Sequence, residues 1–208
     1  MHDDFDLLQA WSAGNAEAGE TLVRRYYKRI YGFVRSKVED APRDLVQRTF
    51  LICLERHDRF RRDAKLAAFL LGIARNVIFD HFRSVDRGRQ FDPLHTTVHD
   101  LAPSPSLIAM GREEQRLLLM ALRTIPLDFQ ITLELFYWEG LSVDEIAEVL
   151  EVAPGTIKSR MHRARQLLRE TMERLPIQDA LLRATLDGFD HWARGLQVAL
   201  SAGHDDDT

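Results

Sequence analysis

The chain has 208 residues, 45% of them apolar, and a formal net charge of −4. That length suits one large or two small domains with real cores and argues against disorder along most of the chain. No apolar run approaches the roughly 18 residues of a membrane span, the start is acidic (Asp3, Asp4, Asp6) rather than signal-like, and the single cysteine, Cys53, has no disulfide partner; a cytoplasmic protein that does not insert in membranes is expected.

Apolar positions recur at helical spacing almost throughout, which predicts an all-α fold. A first helix is expected from Asp4 to Ala13, stopped by Gly14, and a second from Ala16 to Val38 with Val23, Tyr26, Ile30, Phe33 and Val34 on one side. Asp40 is the expected N-cap of a third helix, with Pro42 near its first turn and Leu45, Val46, Phe50 and Cys53 facing inward. After a charged loop, Leu70, Ile73, Ala74, Val77, Ile78 and Phe82 define a fourth amphipathic helix, completing one bundle over residues 1–83.

From 84 to 106 the periodicity dissolves into Gly88, three prolines and scattered polar residues, the pattern of a flexible linker. His95 and His99 stand at i,i+4 spacing here but lack a third ligand, so neither metal nor cofactor is expected. Helical periodicity resumes with Leu117, Leu118, Ala121, Leu122 and Ile125, breaks at Pro126 and continues through Ile131, Leu135 and Phe136, opening a second domain over 107–175.

Within it, Ser142 and Glu145 have the spacing of a capping box before a short helix that ends near Leu150. Glu151 to Ala153 make a tight connection, and Pro154-Gly155-Thr156 opens a longer basic helix, a helix-turn-helix arrangement. From Thr156 to Arg174 there are six basic residues against Glu170 and Glu173. Ile157, Met161, Ala164 and Leu168 fall on the packing face. Lys158, Ser159, His162, Arg163 and Gln166 project together on the opposite face, with donors suited to base edges in the major groove. Arg160, Arg165 and Arg169 flank them as expected phosphate contacts.

The segment GLSVDEIAEVLEVAPGTIKSRMHRARQLLR, Gly140 to Arg169, resembles region 4 of the extracytoplasmic-function (ECF) sigma factors, and DLVQRTFLICLERHDRFRRDAKLAAFLLGIARNVIFDHFR, Asp44 to Arg83, resembles region 2 of the same family. The resemblance implies that Thr156, Lys158, Ser159, Arg160, His162, Arg163, Arg165 and Gln166 meet the promoter's −35 element. It implies that Asp44, Gln47 and Arg48 meet the clamp helices of the largest subunit of core RNA polymerase. Phe60, Arg61, Arg62, Arg75 and Asn76 match the part that captures the melted −10 strand, where an aromatic and an amide suit a flipped base; Phe60 as a plain core residue is the competing reading. An anti-sigma factor is a further partner that the resemblance admits.

Arg48 departs from the acidic residue common in the family, as do Leu66 and Ala67 from its aromatic and polar pair, and Phe69 from its usual tryptophan. The resemblance stops near Leu175. In 176–208, six aspartates stand against Arg183 and Arg194, and Ile177, Leu181, Phe189, Trp192, Leu196 and Leu200 predict a carboxyl-terminal amphipathic helix that is either regulatory or part of the second core. The alternative function is a two-domain helix-turn-helix regulator working without polymerase. An enzyme is not expected: there is no glycine-rich phosphate loop, cysteine–histidine pair or nucleophile motif.

Overall fold

The computed structural model describes residues 3–38, 40–85, 91–98 and 120–174. They form α1 (Asp4–Ser12), α2 (Ala16–Arg35), α3 (Pro42–Glu55), a 3-10 turn (His57–Arg59), α4 (Leu66–Val85), α5 (Leu127–Tyr137), α6 (Val143–Leu150) and α7 (Pro154–Arg174), with residues 120–124 also helical. No β-strand occurs among the described residues, in keeping with the all-α expectation. None of their helices is long and apolar enough to cross a membrane. The chain divides into two compact units, residues 1–81 and 82–208.

In the first unit, Gly14 takes a positive φ of 96° where α1 ends, and the Asn15 side chain caps α2 by accepting from the Ala18 N–H at 3.2 Å. A Cβ at Gly19 would collide with the Trp11 indole, so the glycine is what lets α1 lie close on α2. Leu8, Leu22, Ile30, Val34, Val46, Leu71 and Ile78 are fully buried between the four helices; each such side chain contributes about 1.5–3 kcal/mol. Burial pushes the Cys53 thiol up to about 12, which keeps it protonated and unreactive.

Two expected boundaries shift. α2 stops at Arg35, and Lys37 turns inward, its Nζ donating to the Phe33 carbonyl and Ser36 Oγ, both at 2.9 Å. The residue before α3 is Ala41 in a left-handed conformation, with no side-chain cap, rather than Asp40. Pro42 begins the helix as expected.

In the second unit, Ala121, Leu122, Ile125 and Leu133 pack with Ala164, Leu168 and Met172 of α7. Part of the stretch read as linker belongs to this unit. Pro126 gives α5 no side-chain cap, and the N–H groups of Leu127 and Asp128 donate instead to the carbonyls of Thr96 and Pro93, both at 2.9 Å. Val98 is fully buried and Thr97 forms an isolated bridge with Pro126. Residues 91–98 thus satisfy donors that a helix start otherwise leaves orphaned. His99, Leu117, Leu118 and the expected carboxyl-terminal helix of 176–208 lie outside the described residues.

Candidate nucleic-acid interface

The helix-turn-helix is fixed by local chemistry. Ser142 Oγ accepts from the Glu145 N–H at 3.2 Å while Glu145 Oε2 accepts from the Ser142 N–H at 2.8 Å, closing the capping box at the start of α6. Glu151 ends that helix with φ 54° in the left-handed region, and the Val152 N–H returns to the Ala147 carbonyl at 3.0 Å. The chain is then turned for α7, whose first turn is closed by the Thr156 N–H on the Ala153 carbonyl at 2.9 Å.

Ile157, Met161, Ala164, Leu168 and Met172 bury one face of α7. Lys158, Ser159, His162, Arg163 and Gln166 are all exposed on the other, and Thr156 is half-buried beside them. The exposed face carries its own bonds: Ser159 Oγ donates to the Thr156 carbonyl at 2.9 Å, Arg163 Nη1 to Gln166 Oε1 at 3.3 Å, and Gln166 Nε2 to Glu170 Oε1 at 2.9 Å.

The flanking arginines divide. Arg169 is exposed. Arg165, also exposed, donates from Nε to the Tyr137 hydroxyl at 2.8 Å, with its guanidinium 5.5 Å from the ring centroid. Arg160 differs from its expected place as a phosphate contact: its side chain is 14% exposed and Nη1 lies 2.7 Å from Oδ2 of Asp128, which is 2% exposed. α5 therefore holds α7 from both of its own ends, through Asp128 and Tyr137. Sequence reasoning missed both partners because they lie far upstream of α7, on a helix whose pattern shows only apolar periodicity.

In the first unit, Asp44, Gln47 and Arg48 are exposed along α3. Leu51, one turn on, is 51% exposed, an apolar contact that its spacing from Gln47 and Arg48 on a helix could have signalled. Arg48 Nη2 stands 3.8 Å from Asp80 Oδ2 of α4.

The loop after α3 is less open. Phe60 is buried, with its ring centroid 6.2 Å from that of Phe5 and 5.6 Å from that of Phe69. Arg61 makes a two-point pair with Asp63, Nε to Oδ1 at 3.0 Å and Nη2 to Oδ2 at 2.6 Å; hydrogen bonding to that guanidinium holds the Asp63 carboxyl below its ordinary value. Arg62 pairs with Asp6 and Asp3. Asn76 is exposed, and its Oδ1 accepts from Arg75 Nη1 at 3.3 Å, while the Arg75 guanidinium lies 4.4 Å from the Phe79 ring centroid.

Comparison with known proteins follows the same division. Residues 22–88 match the family model for sigma-70 region 2 and residues 115–168 that for sigma-70, region 4. The chain is 28% identical over 188 residues to the RNA polymerase sigma-H factor of Pseudomonas aeruginosa, covering 84% of this chain and 96% of that protein. It is 29% identical over 166 residues to the ECF RNA polymerase sigma factor SigX of Bacillus subtilis, covering 76% and 86%. Among solved structures, the sigma factor RpoE of Bartonella quintana, crystallised with the anti-sigma factor NepR, superposes with a TM-score of 0.59 at 25% identity, over 74% of this chain and 96% of that one. With a capped helix-turn-helix in one unit, a helical bundle in the other, and a family match on each in the same order, the chain belongs to the ECF group of the sigma-70 family of RNA polymerase sigma factors.

Proposed function

We propose that the chain directs core RNA polymerase to promoters by dividing the work between its units, without catalysing a reaction itself. α7 enters the major groove of the −35 element, with Lys158, Ser159, His162, Arg163 and Gln166 toward base edges and Thr156, Arg165 and Arg169 toward phosphates; Arg160 acts there through its pair with Asp128. Asp44, Gln47, Arg48 and Leu51 form the face of α3 that docks on the clamp helices of the polymerase's largest subunit, an amphipathic-helix mode of recognition. Arg61, Arg62, Arg75 and Asn76 border the surface for the melted −10 strand, with Phe60 as its aromatic platform.

The observation that carries this reading is the row of five exposed donor side chains on a helix whose opposite face is wholly buried. Each good bidentate pairing on such a helix discriminates by about 1–3 kcal/mol. Because the relative RpoE is bound by an anti-sigma factor, a protein of that class is the proposed regulator of this chain too. The test is reconstitution with sigma-free bacterial core polymerase and a library of promoter fragments. Core-dependent run-off from a shared two-part motif is the expected result. Tight duplex binding with no core-dependent initiation, by the full chain and by a chain ending at Leu175, would overturn it in favour of a regulator that works alone.

A further inference from the structure

The first turn of α1 lies on the very groups assigned above to the melted strand. Asp6 Oδ1 accepts from Arg62 Nη2, and Asp3 Oδ2 lies 3.8 Å from Arg62 Nε. The Phe5 ring between these two aspartates meets the Arg62 guanidinium at 4.9 Å and the Phe60 ring at 6.2 Å. Asp4 points the other way, to Arg25 and the Tyr26 hydroxyl of α2, and so anchors the helix. Three residues of this turn, Asp3, Phe5 and Asp6, therefore offer the loop what a single-stranded nucleotide offers: anionic oxygens for a guanidinium and a flat ring for an aromatic one.

We propose that this turn is an internal stand-in for the melted strand. In the free chain Asp3, Asp6 and Phe5 occupy Arg62 and Phe60; on initiation they exchange places with phosphate and base, and so they set the affinity of the strand site. The exchange is inexpensive by construction. Arg62 is 61% exposed, Asp6 56% and Asp3 53%, and ion pairs this open to water hold weakly. The inference rests on the reading of the 58–65 loop and Asn76 as the strand site. The competing role for α1 is that of a buttress holding the loop in shape. A competitor and a buttress predict opposite signs when the carboxylates are neutralised.

The experiment uses the full chain with core polymerase and a fluorescein-labelled single strand spanning the −10 region of a promoter that the run-off assay selects, followed by anisotropy across a salt series. Asp3→Asn with Asp6→Asn removes the charges and keeps the side-chain shapes, and Asp4 still ties α1 to α2. Strand binding should tighten about two- to fivefold at low salt, and the gain should shrink as screening rises, with little change in Tm. If the double variant melts early, Asp6→Asn alone should shift binding in the same direction by less. Weaker or unchanged binding in these variants, while Asn76→Ala still loosens the strand, overturns the proposal and leaves the site standing. If neither Asn76→Ala nor Arg61→Ala changes strand binding, the site reading fails and this inference falls with it.

Discussion

On α7 the five side chains proposed to meet bases all stand in solvent, whereas in the first unit the ring proposed to meet a base is 4% exposed and the two arginines beside it already rest on carboxylates. The contrast follows the form of the nucleic acid. A duplex presents its base edges in the groove without rearrangement, so a reading helix can be finished before DNA arrives. An extruded base exists only after unstacking, and a bare aromatic platform waiting for it would expose apolar surface. Phe60 is buried on Phe5 and Phe69, so the proposed platform stays part of the core until a strand comes.

The first way to break this comparison is to ask whether Phe60 truly serves the core. Phe60→Ala should cost the first unit about 3–5 kcal/mol, the range for large-to-small aromatic changes in a packed core, measured by denaturant unfolding; a loss below about 1 kcal/mol would place the ring at the surface and remove the contrast. Next in size, Asp128→Ala leaves the nearly buried Arg160 guanidinium without its carboxylate. A cost of about 3 kcal/mol is expected, with duplex affinity falling because α7 loses its ion pair to α5.

Arg163→Ala sharpens the same side of the comparison by doing the reverse. It should weaken duplex binding by about 1–3 kcal/mol and leave the melting curve in place, since its side chain contributes to no core. Smallest is Ser142→Ala, which opens the capping box and should lower stability by about 1 kcal/mol, read as a modest drop in Tm. Base preference should not change, because Ser142 sets where α6 begins and touches no part of the reading face.

What could be read from the amino-acid sequence followed the range of the interactions. The helix-turn-helix was legible because its signals are local: Ser142 and Glu145 bond each other three residues apart, and Pro154 starts the next helix beside them. The exposed face of α7 followed from helical spacing alone. Arg160 looked like another phosphate contact because its partner, Asp128, is many residues upstream, and the burial of Phe60 depends on Phe5 arriving from the far end of the unit. The start of α3 lies one residue beyond the expected cap because Ala41 sits in a left-handed conformation that alanine does not favour by itself. Nothing in its neighbours' chemistry announces that.

The strap of residues 91–98 leaves little trace in the amino-acid sequence for a different reason, and that reason bears on how this family member can change over time. Thr96 and Pro93 hold the start of α5 through carbonyl oxygens, which every amino acid possesses. Selection on those two bonds acts on the path of the backbone, while the buried Val98 is the side chain of the segment that the core holds. Among descendants of this chain the residues before Val98 would look like a tether in sequence, and the fastening would show as a pair of amide protons, on Leu127 and Asp128, slow to exchange with solvent.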